Sequence, residues 1–293
     1  MRECGSALRV APRRRTVAQG PLHFRTSALP HSRTFVILRF LGTGTSFGVP
    51  VIGCRCEVCR SADPRDRRTR HAALLEEDGR RLLIDTPPEL RLQLVGAGVR
   101  KVDAVFYTHT HADHVHGVDD LRVFSEQTGR AVPVYAAEQD GAVLASRFGY
   151  VFDASIRPMQ GTSKPEGALR YYRSYEPVTA AGFELLPLPV PHGDATVHGF
   201  RAGPLGYVTD AKRLPERTAE ALRGVRVLVL NALWFGRPHP THFSVDEAVE
   251  VAAELGAERT YLTHLSHLTS AEELDRRLPP GVFGAYDGLE IEV

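Results

Sequence analysis

Hydrophobic residues alternate along the chain between short apolar runs typical of strands and longer amphipathic segments typical of helices. The pattern predicts strands at residues 36–41, 72–76, 81–85, 104–107, 132–135, 183–190, 198–202, 205–209, 225–230, 259–263 and 289–293. It predicts helices at 88–95, 117–128, 138–148, 245–255 and 270–278. Asp78-Gly79 predicts a hairpin turn, and Thr241 or Ser244 is the expected N-cap of the fourth helix. Strands and helices in both halves favour a layered α/β domain.

Two regions depart from this pattern. Residues 149–182 mix aromatic side chains with proline and glycine, which predicts an irregular or hairpin-bearing excursion near the site. Residues 1–34 are rich in arginine, nearly free of acidic residues and without a clear period. We expect them to be a disordered leader, a transit-like segment or the product of a mis-called start codon, and we expect one folded domain over residues 35–293.

Composition narrows the class of protein. A chain of 293 residues with 43% hydrophobic residues can bury a sizeable core. Its net charge of +1 argues against a nucleic-acid partner, and no apolar run is long enough for a membrane span. We therefore expect a cytoplasmic protein. Three of the four cysteines lie within six residues, which indicates metal binding rather than disulfides.

The segment after the predicted strand at residues 104–107 carries a dense set of metal-binding side chains. It reads Thr-His-Thr-His-Ala-Asp-His, and its candidate ligands are His109, His111, Asp113 and His114. In an extended segment, the first three of these side chains point the same way. Imidazole and carboxylate suit Zn²⁺, Mn²⁺ or Fe²⁺, so the motif predicts a metal site. A histidine-rich surface loop is the structural alternative.

Three polar residues downstream also follow apolar runs, namely His192, Asp210 and His264. A residue at such a position, taken alone, is usually a cap or a turn former. Together with the His-rich motif, the three indicate the additional ligands that a dinuclear site needs.

A second candidate metal site lies upstream, where Cys54, Cys56 and Cys59 have the spacing Cys-x-Cys-x-x-Cys. Three thiolates this close favour tetrahedral Zn²⁺, which needs a fourth ligand. His267 is our candidate, because it follows His264 by three positions and one short loop then serves both sites. A reduced surface trio and a redox pair are the alternatives.

The ligand order His-x-His-x-Asp-His, followed by a distant His, Asp and His, resembles that of the metallo-β-lactamase superfamily over residues 36–293. The resemblance implies an αββα four-layer sandwich with the site at one edge between two β-sheets. The implied ligands are His109, His111 and His192 for one metal and Asp113, His114 and His264 for the other, with Asp210 bridging them.

The cysteine motif with His267 is similar to that of the phosphoribosyl 1,2-cyclic phosphate phosphodiesterase branch, which carries a structural zinc with a Cys₃His pattern. Residues 41–46 and 112–122 also resemble that branch. The resemblance implies two catalytic divalent metals (Zn²⁺ or Mn²⁺), one structural Zn²⁺ and a small phosphorylated substrate. Members of the family are often dimers, so a homodimer is left open.

The resemblance also implies a mechanism, in which a metal-bridging hydroxide attacks phosphorus. Asp113 would bind metal and orient this nucleophile, and His242 would be the general acid, with a helix-entry role as its alternative. Asp85 ends an apolar strand and is expected to support a metal-ligating histidine. We expect structural roles for His71, His116 and His239. The candidate phosphate contacts, none in a motif, are Arg122, Lys212, Arg213 and Arg237.

These features predict a metal-dependent phosphodiesterase for a small cyclic phosphate, such as phosphoribosyl 1,2-cyclic phosphate or a 2′,3′-cyclic nucleotide. One alternative is an endonuclease of the tRNA 3′-processing type, although the chain shows no long Gly/Pro/Lys-rich insertion for tRNA. Another is a carrier or binding protein of the pyrroloquinoline quinone biosynthesis type. That branch also has a cysteine-rich zinc loop, but its catalytic motif is typically less complete.

Overall fold

A computed structural model describes residues 35–293. The leader expected at residues 1–34 lies outside the described residues and stays a prediction. The strands are β1 (Ile37–Gly42), β2 (Ala72–Glu77), β3 (Arg80–Ile84), β4 (Ala104–Phe106), β5 (Val132–Ala137), β6 (Gly167–Tyr172), β7 (Val178–Ala180), β8 (Phe183–His192), β9 (Ala195–Ala202), β10 (Leu205–Val208), β11 (Val227–Asn231), β12 (Arg259–Thr263), β13 (Val282–Gly284) and β14 (Glu290–Glu292). The helices are α1 (Glu57–Arg60), α2 (Leu90–Gly96), α3 (Ala112–Val115), α4 (Arg122–Thr128), α5 (Glu138–Arg147), α6 (Gly149–Phe152), α7 (Glu216–Leu222), α8 (Val245–Leu255) and α9 (Ala271–Arg277).

The strands form two seven-stranded sheets, with the orders β14-β1-β2-β3-β4-β5-β6 and β13-β12-β11-β10-β9-β8-β7. Neighbouring strands from β3 to β6 and from β10 to β13 are parallel, and the other pairs are antiparallel. The carboxyl ends of parallel strands share one edge of a sheet, where functional groups often collect. Each sheet therefore offers one edge at which side chains from several strands meet.

Three apolar layers hold the molecule together. Along β3, Leu82 and Ile84 face the core between the sheets, whereas Leu83 faces the outer core covered by α2, α4 and α5. A second outer core packs α7, α8 and α9 onto the other sheet. Between the sheets, Phe106 stacks on Tyr172 with 4.7 Å between the ring centres and meets Phe200 edge-on at 5.4 Å. The αββα four-layer sandwich predicted from the sequence is confirmed.

Local signals in the sequence located most elements correctly. The hairpin turn at Asp78-Gly79 joins β2 to β3, and both residues have positive φ, as a two-residue hairpin requires. Ser244 rather than Thr241 is the N-cap of α8, and it forms a capping box with Glu247. The excursion at 149–182 contains α6, β6 and β7, and β6 completes one edge of the first sheet.

The helix predicted at residues 117–128 is wrong in its first turn. Residues Val118–Leu121 form a 3₁₀ turn, and the α-helix begins only at Arg122. Gly117 explains the tight start, because a β-carbon there would lie 2.1 Å from the carbonyl oxygen of Pro87. The strand β13 and the helices α1 and α7 were not predicted from the sequence. They are short, with three to seven residues each, and carry weak periodic signals.

Two polar residues, the half-buried Asp287 and the buried Arg68, tie together segments that are distant in sequence. The carboxylate of Asp287 accepts bonds from the backbone N–H and hydroxyl groups of Thr43 and Thr69, at 2.6 to 2.9 Å. The Arg68 side chain is 1% exposed and donates to the carbonyls of Ser266 and Thr269, both at 2.8 Å. The Asp287 bonds join the segments after β1, before β2 and before β14, and the Arg68 bonds fix the loop after β12 against the segment before β2.

Among the described residues, no helix combines the length and the apolar character that crossing a membrane requires.

Replacing Arg68 with methionine should destabilise the protein strongly. The methionine fills part of the space but leaves two carbonyls and the buried Asp66 carboxylate, which Arg68 contacts at 3.0 Å, without their donor. Loss of one partner of a buried ion pair costs about 3–5 kcal/mol. Denaturant unfolding at equal metal content measures this loss. The exposed Arg173→Met is the control, and equal stability of the two variants would contradict the assigned role.

Candidate metal centre

Three polar residues at strand ends are turned toward the same place by an unusual backbone conformation. Asp85 follows β3, Asp210 follows β10 by two residues, and His264 follows β12. Their φ angles are 62°, 54° and 58°, in the left-handed region that residues other than glycine rarely adopt. Such strain collects at functional sites, where surrounding contacts hold it in place. The two sheets thus each direct side chains into the gap between their edges.

The His-rich motif lies in the loop that follows β4 and in α3. His109 is buried in the loop, whereas His111 is exposed and is the N-cap of α3. The expectation of one extended run is wrong from residue 112 onward, because Asp113 and His114 belong to the helical turn of α3. This turn places the two residues beside each other, so that both face the strand ends.

The structure brings together all seven side chains predicted to be ligands. The ring atoms of His109, His111 and His192 lie close enough to share one ion, with donor atoms within 4.8 Å of one another. The donor atoms of Asp113, His114 and His264 form a second such group under the same limit. Asp210 joins His109 and His114 in a third group and therefore lies between the first two. These groups match the two ligand sets implied by the sequence resemblance.

Asp85 fixes the protonation of two of these histidines. Its carboxylate accepts a bond from Nδ1 of His114 at 2.7 Å and two from Thr108, through the backbone N–H and the hydroxyl, both at 2.8 Å. Because the Thr108 hydroxyl donates to Asp85, its oxygen accepts from Nδ1 of His109 at 3.0 Å. Both imidazoles therefore carry their proton on Nδ1, and their Nε2 lone pairs face the gap.

His192 is oriented in the same way by a backbone carbonyl. Its Nδ1 donates to the oxygen of Thr241 at 3.1 Å, which leaves Nε2 as an acceptor. The Nε2 atoms of His109, His114 and His264 are buried without a hydrogen-bond partner among the described residues. Buried nitrogens without a partner are costly unless something else binds them. The donor set therefore fits divalent metal ions, which take imidazole nitrogen and carboxylate oxygen as ligands.

Charges in this cluster are strongly coupled. Burial alone lowers the pKa of His114, but the carboxylates of Asp210, Asp85 and Asp113 outweigh it and raise that pKa well above the ordinary value. Burial lowers the pKa of His264 to about 4. Asp210, whose pKa burial alone would raise, is held well below its usual range by the surrounding histidines. Without a metal ion, the raised pKa means that His114 holds a second proton, on Nε2. A cation that binds here must displace this Nε2 proton and expose the lone pair, so its affinity falls as pH falls.

His242 lies against the ligand cluster. Its Nε2 is 2.9 Å from Oδ1 of Asp210, and its ring packs on those of His264 and His192, with centres 4.9 and 4.7 Å apart. Since a carboxylate can only accept, Nε2 of His242 carries a proton. The sequence prediction that His242 lies near the candidate metals agrees with this geometry, whereas its role as an acid stays a prediction.

The three histidines expected to be structural have different surroundings. His116 ends α3 and packs on Phe148, away from the cluster. His71 is fully buried behind the ligands, where its Nε2 forms a hydrogen bond with the Tyr207 hydroxyl at 2.7 Å. His239, in contrast, adjoins His242, with their Nδ1 atoms 3.3 Å apart. The spacing His-x-x-His at 239–242 was the available signal for this proximity.

The four candidate phosphate contacts are not equivalent. Arg122 is paired with Asp119 and also donates to the carbonyl of Ser163, on the side of the excursion. Lys212 is paired with Glu247. The remaining two, Arg213 and Arg237, have exposed side chains and no carboxylate partner among the described residues.

The cysteine motif forms a separate candidate metal site. The three Sγ atoms of Cys54, Cys56 and Cys59 lie 3.3, 3.5 and 3.6 Å from Nδ1 of His267, and none is in a disulfide. Zinc–sulfur and zinc–nitrogen bonds at tetrahedral angles separate S and N by about 3.5 Å. The Cys₃His cluster that the sequence predicts is therefore present with a geometry that fits one zinc ion.

Backbone contacts prepare this cluster for a cation. The N–H groups of Cys56, Cys59 and Val51 point at cysteine sulfurs, at 3.3 to 3.5 Å. The Cys56 N–H lowers the pKa of Cys54 to about 6, whereas burial raises the pKa of Cys59 to about 11. Since zinc binds thiolates, the backbone donors favour the required charge state on Cys54.

Comparison with known proteins gives one family. A family profile described as "Beta-lactamase superfamily domain" matches residues 80–265. A curated octanoyltransferase of Porphyromonas gingivalis is 38% identical over 252 residues, covering 85% of this chain. The chain spans 50% of the length of that relative. A ribonuclease Z of Methanopyrus kandleri is 28% identical over 295 residues, covering 88% of this chain and 98% of the relative.

Solved structures give the same fold. A crystal structure of "a New Diphosphatase from the PhnP Family" is 41% identical with a TM-score of 0.80, covering 88% of this chain and 98% of the other. Zn²⁺-bound PqqB from Methylobacterium extorquens is 20% identical with a TM-score of 0.72, covering 88% of this chain and 100% of the other. The second likeness concerns the fold alone.

Replacing Asp85 with asparagine should weaken metal binding by about 10–100-fold while the fold is retained. The amide group can donate to Nδ1 of His114, which would move the imidazole proton to Nε2, the atom that faces the gap. Competition titration with a chromophoric chelator measures the affinity.

Asp140→Asn is the matched control, because Asp140 is also buried but contacts only the hydroxyl of Thr110, at 3.5 Å. Metal affinity in folded Asp85→Asn equal to that of the parent protein would show that Asp85 does not orient the ligands.

Proposed function

Because the chain belongs to the metallo-β-lactamase superfamily, we propose that it is a metal-dependent phosphodiesterase that hydrolyses a small phosphate ester. The observation that carries the proposal is the convergence of three Nε2 lone pairs, from His109, His114 and His192, on the carboxylate of Asp210. The 41% identical diphosphatase supports phosphate as the group that is attacked. A small cyclic phosphate is the substrate that we propose first.

In this proposal the two ligand groups each hold one divalent cation. His109, His111 and His192 would bind the first and Asp113, His114 and His264 the second, and the Asp210 side chain lies between the two groups. Bound divalent cations supply Lewis-acid stabilisation for the negative charge that develops on phosphate oxygens during hydrolysis. The hydrogen bonds of Asp85 and Thr241 keep the imidazole rings in place, so little reorganisation is needed when the substrate binds.

Two side chains of the cluster are suited to general acid–base catalysis. The Asp113 carboxylate is partly exposed, and His114 with the other histidines keeps its pKa low against the opposing effect of burial. As an ionised acceptor, it can orient a water molecule beside the phosphate. His242 holds a proton on Nε2 next to Asp210, where it can be given to the oxygen that leaves phosphorus.

A diphosphate ester is the second candidate substrate. The printed description of the 41% identical structure is a diphosphatase, and hydrolysis of a phosphoric anhydride makes the same demands on the ligand cluster. The leaving group in that reaction is a phosphate, which is more acidic than an alcohol and needs the proton of His242 less. Dependence on His242 therefore separates the two substrate classes.

Ribonuclease and carrier functions are the rivals that the relatives raise. A ribonuclease Z matches 88% of the chain, so a tRNA precursor belongs in any substrate test. A coenzyme PQQ synthesis protein B of Methylobacterium nodulans matches 51% of the chain at 35% identity. A carrier would bind metal and ligand without turnover. Cytoplasmic localisation and a homodimer stay predictions.

A substrate screen on metal-loaded protein tests the proposed function. We expect turnover of 2′,3′-cyclic nucleotides, ribose 1,2-cyclic phosphates and bis(p-nitrophenyl) phosphate with Mn²⁺ or Zn²⁺. Asp113→Asn should lower turnover by about 1000-fold or more, because it removes both a ligand and the acceptor for water. Release of phosphate or p-nitrophenol gives the rate.

Cys56→Ser is the matched control, because it alters the cysteine cluster and leaves the histidine cluster intact. We expect it to lower stability while the folded fraction stays active. Two outcomes would contradict the proposal: a fully metallated parent protein that cleaves only tRNA precursors, or one that cleaves none of these substrates.

A further inference from the structure

His71 lies behind the ligand cluster, between residues of the two sheets. It immediately precedes β2 of the first sheet, and its side chain is 0% exposed. Its ring centre is 5.5 Å from that of His114 and 6.2 Å from that of His264. His114 lies in α3, which follows β4 of the first sheet, whereas His264 follows β12 of the second. His71 therefore packs against two candidate ligands of the same cation that come from different sheets.

Hydrogen bonds attach this imidazole to the second sheet. Its Nε2 is 2.7 Å from the hydroxyl oxygen of Tyr207 in β10, and its Nδ1 is 3.5 Å from that of Thr263, the last residue of β12. Both partners are 0% exposed, and the Tyr207 ring stacks on Phe200 with the centres 5.2 Å apart. A buried polar ring without a partner is unstable, so the bond to Tyr207 restricts how the imidazole can turn.

The ring of His264 has no hydrogen bond to fix it within the described residues. The Nδ1 atoms of His109, His114 and His192 each bond to an oxygen. Nδ1 of His264, in contrast, is buried without a partner in residues 35–293. Its Nε2 lies 3.1 Å from Oδ1 of Asp210, so this nitrogen is the one that faces the other ligands. Outer hydrogen bonds normally orient metal-binding imidazoles, and here packing has to replace them.

Three neighbouring rings provide this packing. The ring centre of His264 is 4.9 Å from that of His242 and 6.2 Å from that of His114, with angles of 19° and 17° between the planes. His71 packs from a third direction, at 6.2 Å and 52°. Its partner Tyr207 belongs to the apolar core between the sheets. His71 therefore connects the position of His264 to that core.

The ring contacts of His71 involve one of the two ligand groups. Within the described part of the chain, its neighbouring rings are those of His114, Tyr207 and His264. Both histidines belong to the group that includes Asp113, and neither belongs to the group of three histidines. A shift of the His71 ring therefore changes the spacing of one ligand pair and leaves the three-histidine group in place.

We propose that His71 is a positioning residue, which through its bond to Tyr207 sets the spacing between His114 and His264 and so the affinity of their group for a cation. The inference rests on the ligand groups of the proposed function and concerns no substrate. His71 is in none of the candidate ligand groups of the described residues, so it acts through the two imidazoles that it contacts.

Tyr207→Phe tests this role, because it removes one hydroxyl and keeps the ring that stacks on Phe200. The Zn²⁺-loaded full chain is titrated with a chromophoric chelator, and circular dichroism verifies the fold. We expect one of the three cations to bind at least about tenfold more weakly and the other two to be unchanged. Tyr175→Phe is the matched control, because its hydroxyl bonds to Thr218 of α7 at 2.9 Å, and its three affinities should equal those of the parent protein.

A second background identifies the affected cation. Asp113→Asn already weakens the group that contains His114 and His264. Adding Tyr207→Phe to it should change the affinities of the other two cations by less than about twofold, because the lost bond serves the cation that is already weakened.

A double variant separates positioning from stability. In Tyr207→Phe the imidazole of His71 loses a buried partner, which also destabilises the fold. Combining it with His71→Phe removes the unpaired polar group, so the denaturant midpoint should recover in large part while one cation stays weakly bound. Recovery of that affinity along with the stability would show that the loss was a consequence of destabilisation, and would overturn the positioning role. If Tyr207→Phe alone does not fold, the double variant decides.

Unchanged affinities in folded Tyr207→Phe would overturn the inference, as would equal weakening of both cations of the histidine cluster. Either result leaves the proposed function in place, since the parent protein still binds three cations. A parent protein that binds only one cation would overturn the proposed function and the inference together.

Discussion

The arrangement of the candidate metal centre depends on the buried carboxylate of Asp85. This side chain is 0% exposed and accepts three hydrogen bonds, one from His114 and two from Thr108. Its backbone has a positive φ, which turns the carboxylate from the end of β3 toward the loop after β4. Through Thr108 it also determines where His109 carries its proton. The Asp85 carboxylate thus sets the position of the proton on both His109 and His114, which leaves their Nε2 atoms available as ligands. The other candidate ligands lie around these two imidazoles.

The sandwich explains how residues distant in sequence meet at this point. Parallel strands in both sheets end at facing edges, so that β3 and β4 supply one side of the site and β10 and β12 the other. The loop after β12 has two uses, because His264 enters the histidine cluster and His267 enters the cysteine cluster. Arg68 bonds to two carbonyls of that loop and keeps both histidines in register. Damage to the cysteine cluster is therefore expected to act through stability first.

Much of this organisation could be predicted from the sequence, for physical reasons. Apolar runs that end in a polar residue indicated the strand ends, and the chemistry of closely spaced histidines and cysteines indicated metal binding. Contacts that depend on tertiary packing could not be predicted from the sequence. Asp287 bonds to Thr43 across 244 residues of sequence, and no local pattern marks such a pair. The fully buried Arg68 lies in an arginine-rich stretch whose composition suggests solvent exposure. The sequence predicted a helix from residue 117, whereas the α-helix begins at Arg122. The close approach of Gly117 to Pro87 is a tertiary contact, which local sequence patterns do not show.

In the proposed function, the seven convergent side chains hold two cations and the Cys₃His cluster holds a third. Metal analysis by mass spectrometry, on folded protein purified without chelators, tests it most directly. We predict about three metal equivalents per chain in the parent protein and about two in Cys56→Ser. A parent protein with one equivalent, which disappears in Cys56→Ser, would show that the histidine cluster holds no metal and would contradict the account.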